Sequence, residues 1–116
     1  MEEEFKKALD FSNYRQTFSI QRKTLKERID ARLTYGHNGG IFKIDRNLLN
    51  FVHTLIQSEK DQAVLLDVND NPVLVENLSE FKKEIFDRYF TATNEYYKEF
   101  QELKRSRSVE KLVVSE

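Results

Sequence analysis

Four sets of residues in this chain have the types and spacing to do chemistry. The first is Leu66-Asp67-Val68-Asn69-Asp70-Asn71-Pro72, where carboxylate and amide oxygens cluster as a hard cation requires. An EF-hand loop does not fit, because its sixth position falls on Pro72 rather than Gly and its twelfth on Leu78 rather than Glu. Asn, Asp and Pro are also the ordinary residues of a hairpin turn, and that reading is preferred. The second set is Tyr35-Gly36-His37-Asn38-Gly39-Gly40, which has the glycines of a phosphate-cradling loop. It lacks the Gly-Lys-Ser/Thr ending of a P-loop and the preceding strand of a dinucleotide loop. A helix C-cap followed by a turn accounts for the glycines, with Asn38-Gly39 able to form a tight turn. The third set is His37 and His53, the only histidines. They belong to separate elements, so they offer neither a converging ligand set nor a Ser-His-Asp arrangement. No pair of carboxylates stands in an apolar setting that would tune it for acid–base work. The sequence therefore predicts no catalytic residue, no metal ligand and no cofactor.

The fourth set is basic. Arg22, Lys23, Lys26, Arg28 and Arg32 crowd one stretch, offset there by Glu27 and Asp30 alone. Lys104, Arg105 and Arg107 form a second group near the C-terminal end. If the segments carrying them lie antiparallel, the two groups make one positive region able to hold phosphates, and nucleic acid becomes a partner. The alternative is a solvated helix face with pairs such as Lys26–Asp30. An aromatic set, Phe86, Tyr89, Phe90, Tyr96, Tyr97 and Phe100, reads first as core and in part as an oligomer interface, where Tyr and Phe are favoured.

Composition bounds what these sets can do. The chain has 116 residues, 19 Lys plus Arg against 20 Asp plus Glu, and a net charge of −1. That length suits one domain, taken as residues 1–116. The balance excludes a uniformly basic nucleic-acid binder, though not a local patch. Nine Phe and five Tyr argue against a disordered chain. The absence of Cys removes disulfides, thiolate chemistry and Cys-ligated zinc. No apolar run approaches the ~18 residues of a spanning helix, so no membrane partner is expected. The start, Met1-Glu-Glu-Glu-Phe, is acidic before it is apolar and does not read as a signal peptide.

The elements that must position these residues follow from the punctuation. All three Gly lie between Gly36 and Gly40, and the single Pro is Pro72. Residues 2 to about 34 read as one long helix, with Phe11, Tyr14, Phe18, Leu25, Ile29 and Leu33 on one stripe. A short β segment at Ile41–Ile44 follows. Asp45 then caps a shorter helix, about 46 to 59, whose face is Leu48, Leu49, Val52, Leu55 and Ile56. The runs 63–68 and 72–76 around Asn69-Asp70-Asn71 read as a β-hairpin. Asn77 with Glu80 opens a third helix, Ser79 being a rival cap. Its stripe is Leu78, Phe81, Ile85, Tyr89, Ala92, Tyr96, Phe100 and Leu103, reaching about Ser106. Phe86, Phe90 and Tyr97 form a second row beside it. The tail, about 107 to 116, is expected to be extended, as a strand over Val109–Val114, or mobile. The expected fold class is α+β, with two long helices and a shorter one packed with a small antiparallel β-hairpin or sheet. Long helices overhanging a small sheet need cover for their aromatic faces, which predicts a homo-oligomer, a dimer first.

Three stretches carry a resemblance: Ala8–Thr17, Asn38–Ile44, and Thr93–Phe100 with Ser106–Val113. Together they resemble small uncharacterised proteins of marine T4-like bacteriophages, cyanophages included, over almost the whole chain. The resemblance implies a phage product at work in the host-cell cytoplasm or in the virion; another phage or host protein is a further expected partner. It implies no functional residue. The run Asp67–Pro72 on its own is similar to the calcium linker of cadherin repeats, but those repeats are all-β and this run sits between helices. The sequence thus predicts a non-enzymatic accessory or structural protein that works as an oligomeric protein-interaction module. The alternative is a nucleic-acid-binding accessory using the basic patch.

Overall fold

A computed structural model of the chain describes the backbone of residues 1–115 and the side chains of residues 1–106. It holds three helices and two small antiparallel two-stranded sheets, an α+β fold. The order is α1 (Glu2–Arg32), β1 (Thr34–His37), β2 (Gly40–Lys43), α2 (Arg46–Gln57), β3 (Ala63–Leu66), β4 (Pro72–Val75) and α3 (Leu78–Ser115). The chain divides into two compact units. One joins Met1–Arg28 with Glu95–Glu116, and the other is Ile29–Asn94. Both long helices therefore contribute to both units.

The glycine cluster is not a helix cap. α1 stops at Arg32, and the Leu33 amide closes it by donating to Ile29 at 3.2 Å and to Asp30 at 3.1 Å. The chain then enters β1, which pairs with β2 from Thr34↔Lys43 to His37↔Gly40. Asn38 and Gly39 take positive φ, 47° and 82°, the pair of values that a two-residue hairpin turn requires. Gly40 is held to glycine by close approach, because a Cβ there would lie 2.4 Å from Val73 Cγ2. The second hairpin pairs Ala63↔Val75, Val64↔Leu74, Leu65↔Val73 and Leu66↔Pro72.

The caps follow the sequence. Asp45 accepts the Leu48 amide at 2.8 Å and starts α2. α2 closes with Glu59 in the left-handed region, φ 63°, its amide on Ile56 O and the Lys60 amide on Leu55 O. That is the Schellman pattern, here without glycine. Asn77 Oδ1 accepts the Glu80 amide at 3.1 Å and opens α3, so Asn77 and not Ser79 is the cap. At the other end α3 runs past Ser106 to Ser115. The strand expected at Val109–Val114 is therefore helix, because no Gly or Pro breaks the pattern there. The side chains of residues 107–116 lie outside the described residues.

Residues 29–94 hold the core. Phe42, Ile44, Val52, Val75, Leu78 and Ile85 are fully buried, joined by Leu49, Leu65, Val73 and Phe81. Phe81 is the hub: its ring stands 5.5 Å from Phe42, 5.9 Å from Tyr35 and 5.1 Å from His37. The other unit, Met1–Arg28 with Glu95–Glu116, is two helical segments. Phe18 meets Phe100 edge to face at 6.3 Å, Arg28 bonds Glu99 at 2.6 Å, and Leu25 is buried. No helix among the described residues is long and apolar enough to cross a membrane.

Candidate functional site

The run that looked like a cation site is a fastener between the two hairpins. Asp67 follows β3 and is buried. Its Oδ1 accepts the amides of Asn69 and Asn71, each at 2.9 Å, and its Oδ2 accepts the Ile41 amide of β2 at 3.1 Å. The Val68 amide donates to Ile41 O at 2.9 Å, and Asn38 Nδ2 donates to Leu74 O at 2.9 Å. Three N–H donors thus occupy most of the acceptor sites of the carboxylate. Among the described residues no group of three His, Asp or Glu is placed to hold a metal ion.

The Ile41 amide first, then the Asn71 amide, hold the Asp67 carboxyl below its ordinary value of 3.8, against an opposing effect of burial. A carboxyl whose folded-state value is depressed adds stability that is complete above its unfolded-state value. That stability drains away as pH falls through the folded-state value. The protein should therefore lose thermal stability below about pH 4. Asp67→Asn should lower the thermal midpoint at pH 7 and narrow the gap between the midpoints at pH 7 and pH 3. Circular-dichroism melts of the two proteins at both pH values check this, and an unchanged gap would refute it.

The histidines have different neighbours. His37 on β1 is half-buried against Phe81, with Tyr35 Oη 3.5 Å from its Nδ1. Arg88 lies over the Tyr35 ring at 4.6 Å and bonds Glu84 at 2.6 Å. His53 on α2 has Lys82 Nζ 3.0 Å from its Nδ1. Among the described residues neither ring has a carboxylate partner.

The aromatic residues separate into two roles. Tyr89, Tyr96 and Phe100 turn partly inward, with Tyr96 and Phe100 stacked at 6.0 Å and 10°. Phe86, Phe90 and Tyr97 point to solvent, the last two each 67% exposed. Helical spacing had grouped them in these same two rows.

A second apolar surface went unread in the sequence. In the β3–β4 hairpin Leu65, Val73 and Val75 face the core, while Val64 (60%), Leu66 (63%) and Leu74 face out. Ile41 of β2 and Val68, joined by the Ile41–Val68 hydrogen bond, are exposed as well. The signal was present: Ala63-Val-Leu-Leu66 and Pro72-Val-Leu-Val75 do not alternate with polar residues, and strands apolar at every position are those covered on both faces.

The basic residues do not all gather. Arg28 is engaged by Glu99, and Lys26 and Arg32 are engaged as well. Arg32, in the last turn of α1, belongs to the 29–94 unit. Lys23 and Arg105 are exposed, and the Arg107 side chain lies outside the described residues. Arg22 and Lys104 are the two that come together. They line one cavity of about 400 Å³ with Tyr14, Arg15, Phe18 and Ser19. Arg15 was not singled out in the sequence, although it sits seven residues before Arg22 and so on the same helix face. No protein-family model, curated protein or solved structure matches this chain.

Proposed function

We propose that this chain is a non-enzymatic accessory or structural protein of a bacteriophage, working as an oligomeric protein-interaction module. The observation that carries the reading is the outer face of the second hairpin. Val64, Leu66 and Leu74, with Ile41 and Val68 beside them, present aliphatic side chains to solvent from a sheet whose other face is already core. A contiguous exposed apolar surface is unfavourable in water and marks a place where another protein sits. β-Branched and aliphatic residues at every strand position are matched by cover on both faces, and the chain supplies one. A second copy of the chain is the simplest source of the other, since a symmetric dimer needs only a self-complementary patch. Phe86 and Phe90 offer further apolar area in the same unit. The phage assignment rests on the sequence resemblance.

Light scattering over a wide concentration range tests assembly. The expected result is a mass at twice that of the chain, 13.9 kDa, that falls on dilution. A monomer at every concentration would overturn the reading.

A further inference from the structure

We propose that the cavity lined by Tyr14, Arg15, Phe18, Ser19, Arg22 and Lys104 is a binding site for a nucleotide unit, a phosphate joined to a planar base. Its residues on α1 form two adjacent rows. Tyr14 and Phe18, four apart, make a row of rings. Arg15, Ser19 and Arg22, spaced by four and three, make a row of donors. Lys104 adds a third cation from α3. Both rings are only half-buried, so each keeps surface for a ligand.

Arg28 and Arg88 each hold a glutamate at 2.6 Å. Arg15, Arg22 and Lys104 line this cavity, with Lys104 Nζ also 5.7 Å from the centre of the Phe100 ring, and, among the described residues, no carboxylate lines it. Like charges around one space repel, and an anion seated among them relieves that repulsion. Guanidinium forks match phosphate oxygens in geometry as well as charge. A bare anion would use the cations and leave the rings idle, whereas a base attached to the phosphate stacks on them. A volume of about 400 Å³ is of the size that small ligands occupy.

The unit can arrive as a free nucleotide or within a single strand, and the experiment separates the two. The full chain is titrated against a fluorescein-labelled oligothymidylate by fluorescence anisotropy at several salt concentrations. Thymidine monophosphate and inorganic polyphosphate serve as competitors. One phosphate seated among these cations predicts a log–log salt slope of about −0.7 on a single strand, and Arg15→Gln with Arg22→Gln should bring it toward zero. The same double substitution should weaken binding at low salt at least tenfold. Tyr14→Leu should weaken oligothymidylate about fivefold or more and leave polyphosphate unaffected. Competition by thymidine monophosphate identifies a free nucleotide as the ligand. Competition by unlabelled oligothymidylate alone identifies a strand. Both results uphold the site. It is overturned by absence of binding at low salt, or by affinity that survives the loss of both arginines. It is also overturned if Tyr14→Leu changes nothing, which leaves a plain anion site. Arg15 and Arg22 are exposed, so their variants should keep the wild-type circular-dichroism spectrum. No hairpin residue contributes to the cavity, so the outcome stands apart from that of the assembly experiment.

Discussion

Truncating Phe81 to alanine is expected to lower folding stability by about 3–5 kcal/mol, the range for removing a buried ring. Phe81 is nearly fully buried and its ring meets Phe42, Tyr35 and His37 at once. These contacts come from β1 and β2 to a ring carried by α3, so the cavity left behind opens where three elements meet. A chain of this length has a total stability of roughly 6–17 kcal/mol at ~0.05–0.15 kcal/mol per residue. The loss is thus a large share of the whole. Urea titration of Phe81→Ala should move the midpoint strongly, while Phe81→Leu, which refills most of the volume, should move it much less. Equal midpoints for Phe81→Ala and the parent chain would show that the ring cluster contributes little.

Placing lysine at both Val64 and Leu66 is expected to abolish assembly without unfolding the chain. Both side chains point to solvent, where substitutions usually change stability by no more than ~0.5 kcal/mol each. In an apolar interface the same two charges would have to be desolvated without partners. Removing several kcal/mol of association energy raises a dissociation constant by at least ~100-fold. Light scattering should report a monomer with a native circular-dichroism spectrum. Leu65→Lys is the contrast: one position along the strand the side chain faces the core, and the expected result is unfolding. Oligomers that persist in Val64→Lys, Leu66→Lys would place the contact elsewhere, with Phe86 and Phe90 next in line.

How far the sequence carried depends on what each residue type can specify alone. Asp45 and Asn77 each name a helix start because capping is local, a side chain reaching an amide three residues on. The inner stripe of α3, from Leu78 to Leu103, is buried or half-buried at every position, as its spacing required. β1 escaped because glycines beside a long helix suit a C-cap as well as a turn. Only the pairing of Tyr35 with Phe42, a contact across the hairpin, decides between them. The last turns of α3 escaped because basic residues at Lys104 and Arg105 suggest an end, while nothing after them enforces one. For the surfaces, spacing told which aromatic residues share a face, but not which face the rest of the chain covers. Arg22 and Lys104 meet because two distant helical segments come side by side, and no local pattern records that.

The division of the chain also bears on how it folds. The hairpins of the 29–94 unit close loops of a few residues, and its helices dock onto them over short stretches of chain. The other unit is closed by links such as Arg28–Glu99, 71 residues apart. Loop-closure entropy makes so distant a contact slow and weakly held until the intervening segment has compacted. The middle of the chain is therefore expected to fold first. The unit formed by Met1–Arg28 and the segment from Glu95 is expected to be the less stable of the two. Amide protons in Met1–Arg28 and beyond Glu95 should exchange by partial opening, and those around Phe42, Val75 and Ile85 only when the whole chain unfolds.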